Sequence, residues 1–238
     1  MKIFLDTADI HLIKEAYETG LIDGVTTNPS LILKSGRTLY DVIHEIVNSC
    51  PSLESVSAEV VGETTEDMLS QAKEYYSIHP MVTIKLPCTP EGLKACKSLS
   101  SLGIKTNVTL VFSVGQAILA AKSGATYISP FIGRMDDWVE SNSKNLEGMD
   151  GEGSPGISLV EEICQVIDEY KFETQVLSAS IRSVLHIEEA AIAGTHAVTT
   201  PAPYFWELYK HELTDTGLKR FENDWKKALE SVKSSSEA

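Results

Sequence analysis

The chain predicts an α/β fold, a single (β/α)8 TIM barrel followed by a C-terminal amphipathic helix. Three observations carry that expectation. Eight strand-like runs recur along the sequence, helical patterns separate them, and glycines stand where helices should stop. Repeated strand–helix units build a parallel sheet, and eight such units close a barrel. The expected barrel spans residues 1–212. Residues 213–238 are expected as a terminal helix and frayed tail of the same domain.

The first run is "KIFLD", followed by a helical pattern from near Asp9 to Gly20. "GVTTN" comes next, then a helix over 39–49. "VSAEV" precedes a helix over 65–77, "MVTIKLP" one over 90–102, and "KTNVTLV" one over 113–122. "TYISPF" is followed by "SKNLEGMDGEGSPG" at 143–156, rich in glycine and acids. That spacing does not match a calcium-binding EF-hand loop, so a solvated loop is expected. A helix over 158–170 follows, then "TQVLSAS", a helix over 183–193, and "HAVTT". Asp9, Thr64, Thr89, Ser113 and Ser158 are the expected N-caps, since a short polar side chain can accept an unpaired helix N–H. Gly20, Gly103, Gly124 and Gly194 fall where left-handed C-caps belong. In the tail, Leu218, Phe221, Trp225, Leu229 and Val232 share one helix face. This is a packing stripe, for the chain's own barrel or for a neighbouring subunit.

Composition bounds the function. The 238 residues are 42% hydrophobic, enough to bury a substantial core. The net charge is −14, with no lysine–arginine stripe, which argues against a nucleic-acid partner. An anionic ligand must therefore be held by a few local cations. Cys50, Cys88, Cys96 and Cys164 form no CxxC pair and read as free thiols of a reducing compartment. "MKIFLDTADI" lacks the long apolar run of a signal peptide or a membrane span. A cytoplasmic protein with no membrane partner is the expectation. The six histidines are scattered, mostly on predicted helices, and His196 sits at a strand start. A metal-dependent hydrolase would want them at strand ends with ligand spacing, so neither a metal nor another cofactor is expected. No phosphate-binding P-loop and no GxGxxG motif occurs.

Chemistry is written in the alternation of the strands. Successive side chains point to opposite faces of a strand. In "VTIKLP", Val82, Ile84 and Leu86 must meet the helices, so Thr83 and Lys85 face the lumen. The same division puts Asp6 inward against Ile3 and Leu5. It puts Thr26 and Asn28 inward, and Ser57 and Glu59 inward against Val56, Ala58 and Val60. Asn107 and Thr109 face in, against Val108 and Leu110, and Ser129 and Phe131 face in from "YISPF". One lysine in a strand is more often an edge residue reaching solvent. A ring of polar groups late in successive strands is different, because a packed interior cannot satisfy them all. The C-terminal strand ends are also where barrel active sites assemble.

Burial disfavours the ammonium form of a lysine, and the neutral amine is a nucleophile toward carbonyls. The resulting imine draws electrons from an adjacent bond. Such chemistry needs a proton shuttle, for which Asp6 and Glu59 supply carboxylates.

"LDTAD", "GVTTNPSLI", "IKLP", "TNVTLVFS", "ISPFIGR" and "SASIRS" stand in order along the chain and resemble motifs of the transaldolase family. The likeness is to its short, single-domain branch, which also contains fructose-6-phosphate aldolases, and it runs from about Lys2 to Tyr209. The resemblance implies that Lys85 forms the Schiff base. Asp6 would take the proton of the substrate C4 hydroxyl. Glu59 and Thr109 would hold a catalytic water. It further implies that Thr26, Asn28, Asn107 and Ser129 bind water or hydroxyls of the dihydroxyacetone unit, and that Arg134, Ser180 and Arg182 bind the distal phosphate. The less favoured alternative for these arginines is a salt bridge to surface carboxylates, since exposed pairs are common and weak. Transaldolases typically carry the Glu and Phe found here at Glu59 and Phe131, whereas the aldolases carry Gln and Tyr.

The implied activity is transfer of a dihydroxyacetone unit between sedoheptulose 7-phosphate and glyceraldehyde 3-phosphate, giving erythrose 4-phosphate and fructose 6-phosphate, a step of the non-oxidative pentose phosphate pathway. The alternatives are a fructose-6-phosphate aldolase and a non-catalytic sugar-phosphate binding barrel. The resemblance also implies a homo-oligomer, a ring with C-terminal helix contacts between subunits. Ile181 and Ser183 replace the more usual Phe and Asn, and "TTPAPYFWEL" is atypical, so the phosphate end and the last barrel turn depart from the family pattern.

Overall fold

Eight parallel strands pair in sequence order and close on themselves in the structure, a computed structural model that describes residues 1–142 and 153–236. They are β1 (Lys2–Asp6), β2 (Gly24–Thr26), β3 (Ser55–Glu59), β4 (Val82–Pro87), β5 (Thr106–Val111), β6 (Tyr127–Pro130), β7 (Gln175–Ser178) and β8 (Ala197–Thr200). The helices are α1 (Ile10–Tyr17), α2 (Pro29–Ser35), α3 (Leu39–Ser49), α4 (Thr65–Tyr76), α5 (Pro90–Ser101), α6 (Val114–Lys122), α7 (Ile132–Asn142), α8 (Pro155–Glu169), α9 (Val184–Ile192), α10 (Ala202–Glu207) and α11 (Glu212–Ser236). The fold is the single (β/α)8 barrel that the strand–helix rhythm predicts.

Helix starts follow the capping chemistry. Asp9, Thr64, Thr89 and Ser113 each accept a backbone N–H from the first turn of the helix they precede. Ser158 does not cap α8. Ser154 does, because Pro155 is preset for a first helical position and extends the helix toward the loop. Asp136 supports that start, its Oδ1 accepting from Ser154 Oγ at 2.7 Å and Gly156 N at 2.9 Å. The expected C-cap glycines 20, 103, 124 and 194 have φ of +71°, +74°, +85° and +86°. Three helices carry no sequence expectation: α2, α7 and α10. The predicted 143–156 loop lies outside the described residues over 143–152.

The core fills the shell between barrel and helices, with Val25, Val56, Ile84, Leu86, Val108, Ile128 and Val198 facing out under α-helices. The lumen is closed at its N-terminal end by Phe4, Tyr127, Leu177 and Ala197. Phe4 and Tyr127 meet edge to face with centroids 5.7 Å apart. Above that plug the inward side chains turn polar, beginning with the Ser55–Thr83 hydroxyl pair at 2.7 Å.

One inward–outward assignment is corrected. Alternation along "TNVTL" places Leu110 under the helices, yet Leu110 lines the pocket. The β5–β6 register shifts between Val108 and Val111, and Leu110 adopts φ +61°. A bulge adds a residue to one strand and so re-aims the side chains beyond it.

The α11 stripe is not used within the chain. Phe221 is 70% exposed and Trp225 67%, with Leu218 and Leu229 exposed beside them. The side chain of Val232 lies outside the described residues. Among the described residues no helix is long and apolar enough to cross a membrane. All four cysteines are free thiols, with Cys50, Cys96 and Cys164 buried.

Candidate active site

At the C-terminal ends of the strands lies a cavity of about 280 Å³. Every residue given a catalytic or substrate-binding role above lines it except Arg182. Strand register explains the gathering. Glu59 pairs with Lys85 across β3 and β4, and Lys85 with Asn107 across β4 and β5. One row of the sheet thus presents carboxylate, amine and amide side by side.

Lys85 is 6% exposed, and its Nζ lies 3.0 Å from Glu59 Oε2. It also donates to the Thr27 carbonyl at 3.4 Å. The desolvation cost of placing an amine here is offset by the adjacent carboxylate. Across the mouth, Asp6 Oδ1 accepts from Thr26 Oγ1 at 2.8 Å. Burial pushes the Asp6 carboxyl above its ordinary range, against the opposing pull of Lys85, the Thr26 hydrogen bond and Arg134.

Ser129 Oγ donates to Asn107 Oδ1 at 2.8 Å, which fixes the amide with its NH2 turned away from that bond. Asn107 Nδ2 and Thr109 Oγ1 are buried with no protein partner among the described residues. Leaving such groups unpaired costs about 1–3 kcal/mol each, and both residues line the cavity, where water or a polar ligand can pair them. Asn28 caps α2 by accepting from Leu31 N at 3.0 Å, and so leaves its amide N–H groups for the cavity.

The other end of the pocket is apolar and cationic. Phe131 packs against Phe112 with centroids 5.8 Å apart, and the Arg134 guanidinium lies 5.0 Å from the Phe131 ring centre. Ser180 is held at φ +60°, and its carbonyl accepts from Gly133 N at 3.1 Å. A Cβ at position 133 would come within 2.6 Å of both that oxygen and Arg182 Nε, so only glycine fits there. Arg182 is turned to the surface, where both its terminal nitrogens grip the Asp137 carboxylate, Nη2 to Oδ2 at 2.5 Å. That arginine holds the Asp137 carboxyl below its usual range. A wider groove of about 640 Å³, lined by Phe112, Asp137, Trp138 and Ser141, adjoins the cavity through Arg134 but includes neither Lys85 nor Asp6.

The cavity wall also includes Thr199, Leu110, Pro29, Ser30 and Ala179, which sequence reasoning missed. Thr199 was within reach of it: continuing the period of two along "HAVTT" from Ala197 turns Thr199 inward. Leu110 was not, because its place depends on the bulge. Among the described residues no group of three or more His, Cys, Asp or Glu side chains is placed to hold a metal ion.

Comparison with known proteins agrees with this fold. The family model described as "Transaldolase/Fructose-6-phosphate aldolase" matches residues 3–232. A protein of Geotalea daltonii named "Probable transaldolase" is 48% identical over 227 residues, covering 95% of this chain and 99% of its own. Proteins of the same name from Phenylobacterium zucineum and Caulobacter vibrioides are each 47% identical, covering 98% of this chain and 100% of theirs.

Proposed function

The chain belongs to the transaldolase/fructose-6-phosphate aldolase family, an enzyme family, and from that premise we propose that it is a transaldolase working through a Schiff base on Lys85. Its substrates are phosphorylated sugars, and it moves a dihydroxyacetone unit from sedoheptulose 7-phosphate to glyceraldehyde 3-phosphate, or the reverse between fructose 6-phosphate and erythrose 4-phosphate. The observation that carries this reading is the ion pair of buried Lys85 with Glu59 at 3.0 Å, facing Asp6 across one cavity.

The steps follow from those positions. Glu59 takes a proton from the Lys85 ammonium, and the free amine attacks the ketose C2 carbonyl. The carbinolamine loses water, its proton transfers relayed by Glu59 and by a water held at Thr109. Asp6 then removes the proton of the C4 hydroxyl. The C3–C4 bond breaks, its electron pair passes into the imine, and an aldose phosphate leaves. The three-carbon enamine remains on Lys85. An incoming aldehyde is attacked by the enamine carbon, Asp6 returns its proton to the new hydroxyl, and hydrolysis of the imine frees the product. Asn28, Asn107 and Ser129 orient the hydroxyls of the three-carbon unit. Arg134 and Ser180 meet the phosphate, and Arg182 joins them by exchanging Asp137 for the phosphate oxygens.

Transfer is favoured over free cleavage by Phe131. Its ring offers no hydroxyl to protonate the enamine, so the unit waits for an acceptor. The test is a coupled assay of fructose 6-phosphate with and without erythrose 4-phosphate. Turnover that depends on the acceptor supports transaldolase; equal turnover without it assigns the aldolase reaction instead.

A further inference from the structure

Strand β8 brings to the cavity a side chain with no part in the steps above. Thr199 is 4% exposed, and its Oγ1 lies 2.6 Å from Thr26 Oγ1, which lies 2.8 Å from Asp6 Oδ1. β2 and β8 flank β1 on either side, and Asp6 pairs with Thr26 across the first of those ladders. The two threonines therefore join over the end of β1 and converge on its carboxylate.

Proton counting gives this chain a direction. A hydroxyl has one proton to donate and two lone pairs to accept with, and an ionised carboxylate only accepts. When Asp6 is ionised, the Thr26 proton lies on the bond to Asp6. The bond between the threonines must then carry the Thr199 proton. Were Thr26 to donate to Thr199 instead, Asp6 would lose its side-chain donor. The chain thus runs from Thr199 to Thr26 to Asp6.

We propose that Thr199 is a positioning residue for the acid/base at Asp6: by donating to Thr26, it orients and polarises that hydroxyl and so strengthens the hydrogen bond that Thr26 donates to the carboxylate. The proposal rests on the reading of Asp6 as the group that exchanges a proton with the substrate C4 hydroxyl. Charged groups around Asp6 do not replace this effect. Lys85 on β4 and Arg134 on α7 act on it as cations, and Glu59 on β3 shares the cavity. β2 and β8 carry no titratable side chain, and α10, which packs on β1, brings only Tyr204 and the exposed Glu207.

The test compares Thr199→Val, which keeps shape and removes the hydroxyl, with Thr199→Ser, which restores it. Carbon-13 NMR of aspartate-labelled protein follows the Asp6 carboxyl without reference to activity. Asp6 should titrate at higher pH in Thr199→Val and as wild type in Thr199→Ser. In the kcat/KM profile, Thr199→Val should lose roughly threefold on the acidic limb relative to the plateau, the worth of one weakened hydrogen bond. Thr26→Val with Thr199→Val should shift the limb no further than Thr26→Val alone. An unmoved Asp6 titration, a Thr199→Ser variant that behaves like Thr199→Val, or additive effects in the double variant would overturn the proposal. A moved titration in a protein without aldol chemistry would leave the hydrogen-bond chain standing and remove the catalytic reading of Asp6. If circular dichroism shows Thr199→Val unfolded, Thr199→Ala carries the same comparison.

Discussion

Lys85 and Glu59 are register partners on adjacent strands, and the buried lysine and half-buried glutamate close an ion pair of 3.0 Å at the mouth of the barrel. On the proposed mechanism, this pair keeps a base beside the amine from which a proton must depart. Borohydride added with fructose 6-phosphate should attach a three-carbon unit to Lys85, read by peptide mass mapping. Labelling elsewhere, or no label in an active protein, would sink the Schiff-base mechanism. Lys85→Met should abolish turnover and cost about 1–3 kcal/mol of stability by leaving Glu59 unpaired, less than a fully buried pair because the cavity admits water. Adding Glu59→Gln to it should recover most of that loss in urea melts.

The two arginines should not be equivalent. Arg134 lines the cavity and forms no ion pair among the described residues, whereas Arg182 must first release Asp137. Arg134→Ala should raise KM for fructose 6-phosphate by roughly tenfold or more, the worth of a charge-assisted contact of about 1.5–3 kcal/mol. Arg182→Ala should raise it less, since the exchange with Asp137 offsets part of its gain. Both should leave KM for unphosphorylated ketoses nearly unchanged. Equal losses on both substrate types would mean the phosphate is bound elsewhere.

Asp6 gives a pH dependence of definite sign. Its carboxyl titrates above the ordinary range because it is buried. Between the unfolded value, about 3.9, and the raised folded value, the folded chain binds more protons than the unfolded one. Stability contributed at Asp6 therefore falls as pH rises through that window, and the loss is complete above the folded value. Asp6→Asn should melt higher than wild type at neutral pH, and the two should converge below about pH 4. The same variant should still form the imine but not cleave, so borohydride should trap a six-carbon adduct on Lys85. A three-carbon adduct in Asp6→Asn would move the acid/base role to another residue.

The exposed stripe on α11 bears on assembly. Four large apolar side chains in a row on a helix that does not pack on its own barrel call for a partner. We propose a homo-oligomer in which α11 contacts a neighbouring subunit, as the family resemblance implies. Cutting the chain after Thr214 should lower the mass seen by light scattering or destabilise the assembly. A monodisperse monomer of the full chain at working concentration would refute it.

The fold was legible because its signals are local: a cap such as Thr64, a glycine such as Gly124, and the alternation of "VTIKLP" each dictate structure within a few residues. The lumen was legible for the same reason, since alternation turns Asp6, Glu59, Lys85 and Asn107 to one axis. What could not be read depends on contacts between distant segments. Leu110 enters the cavity through a register shift against β6. Arg182 is drawn outward by Asp137, 45 positions away, and no local pattern announces that partner. The start of α8 moved to Ser154 because Pro155 and Asp136 together stabilise an earlier turn.

Phe131 supplies the most discriminating prediction. It faces the cavity as a bare ring, flanked by Phe112 and Arg134, and carries no proton to donate. An enamine beside it has no protonating neighbour there, while a tyrosine would place a hydroxyl at the same end of the pocket. Phe131→Tyr should therefore release dihydroxyacetone and glyceraldehyde 3-phosphate from fructose 6-phosphate without an acceptor, at the expense of transfer. Glu59→Gln added to it should favour cleavage further, since the remaining amide matches the aldolase branch. Wild type should show the reverse: little dihydroxyacetone alone, and ping-pong turnover once erythrose 4-phosphate is present. If Phe131→Tyr leaves the ratio of cleavage to transfer unchanged, protonation of the enamine is not controlled from this wall, and the choice between the two reactions must be made by another residue of the cavity.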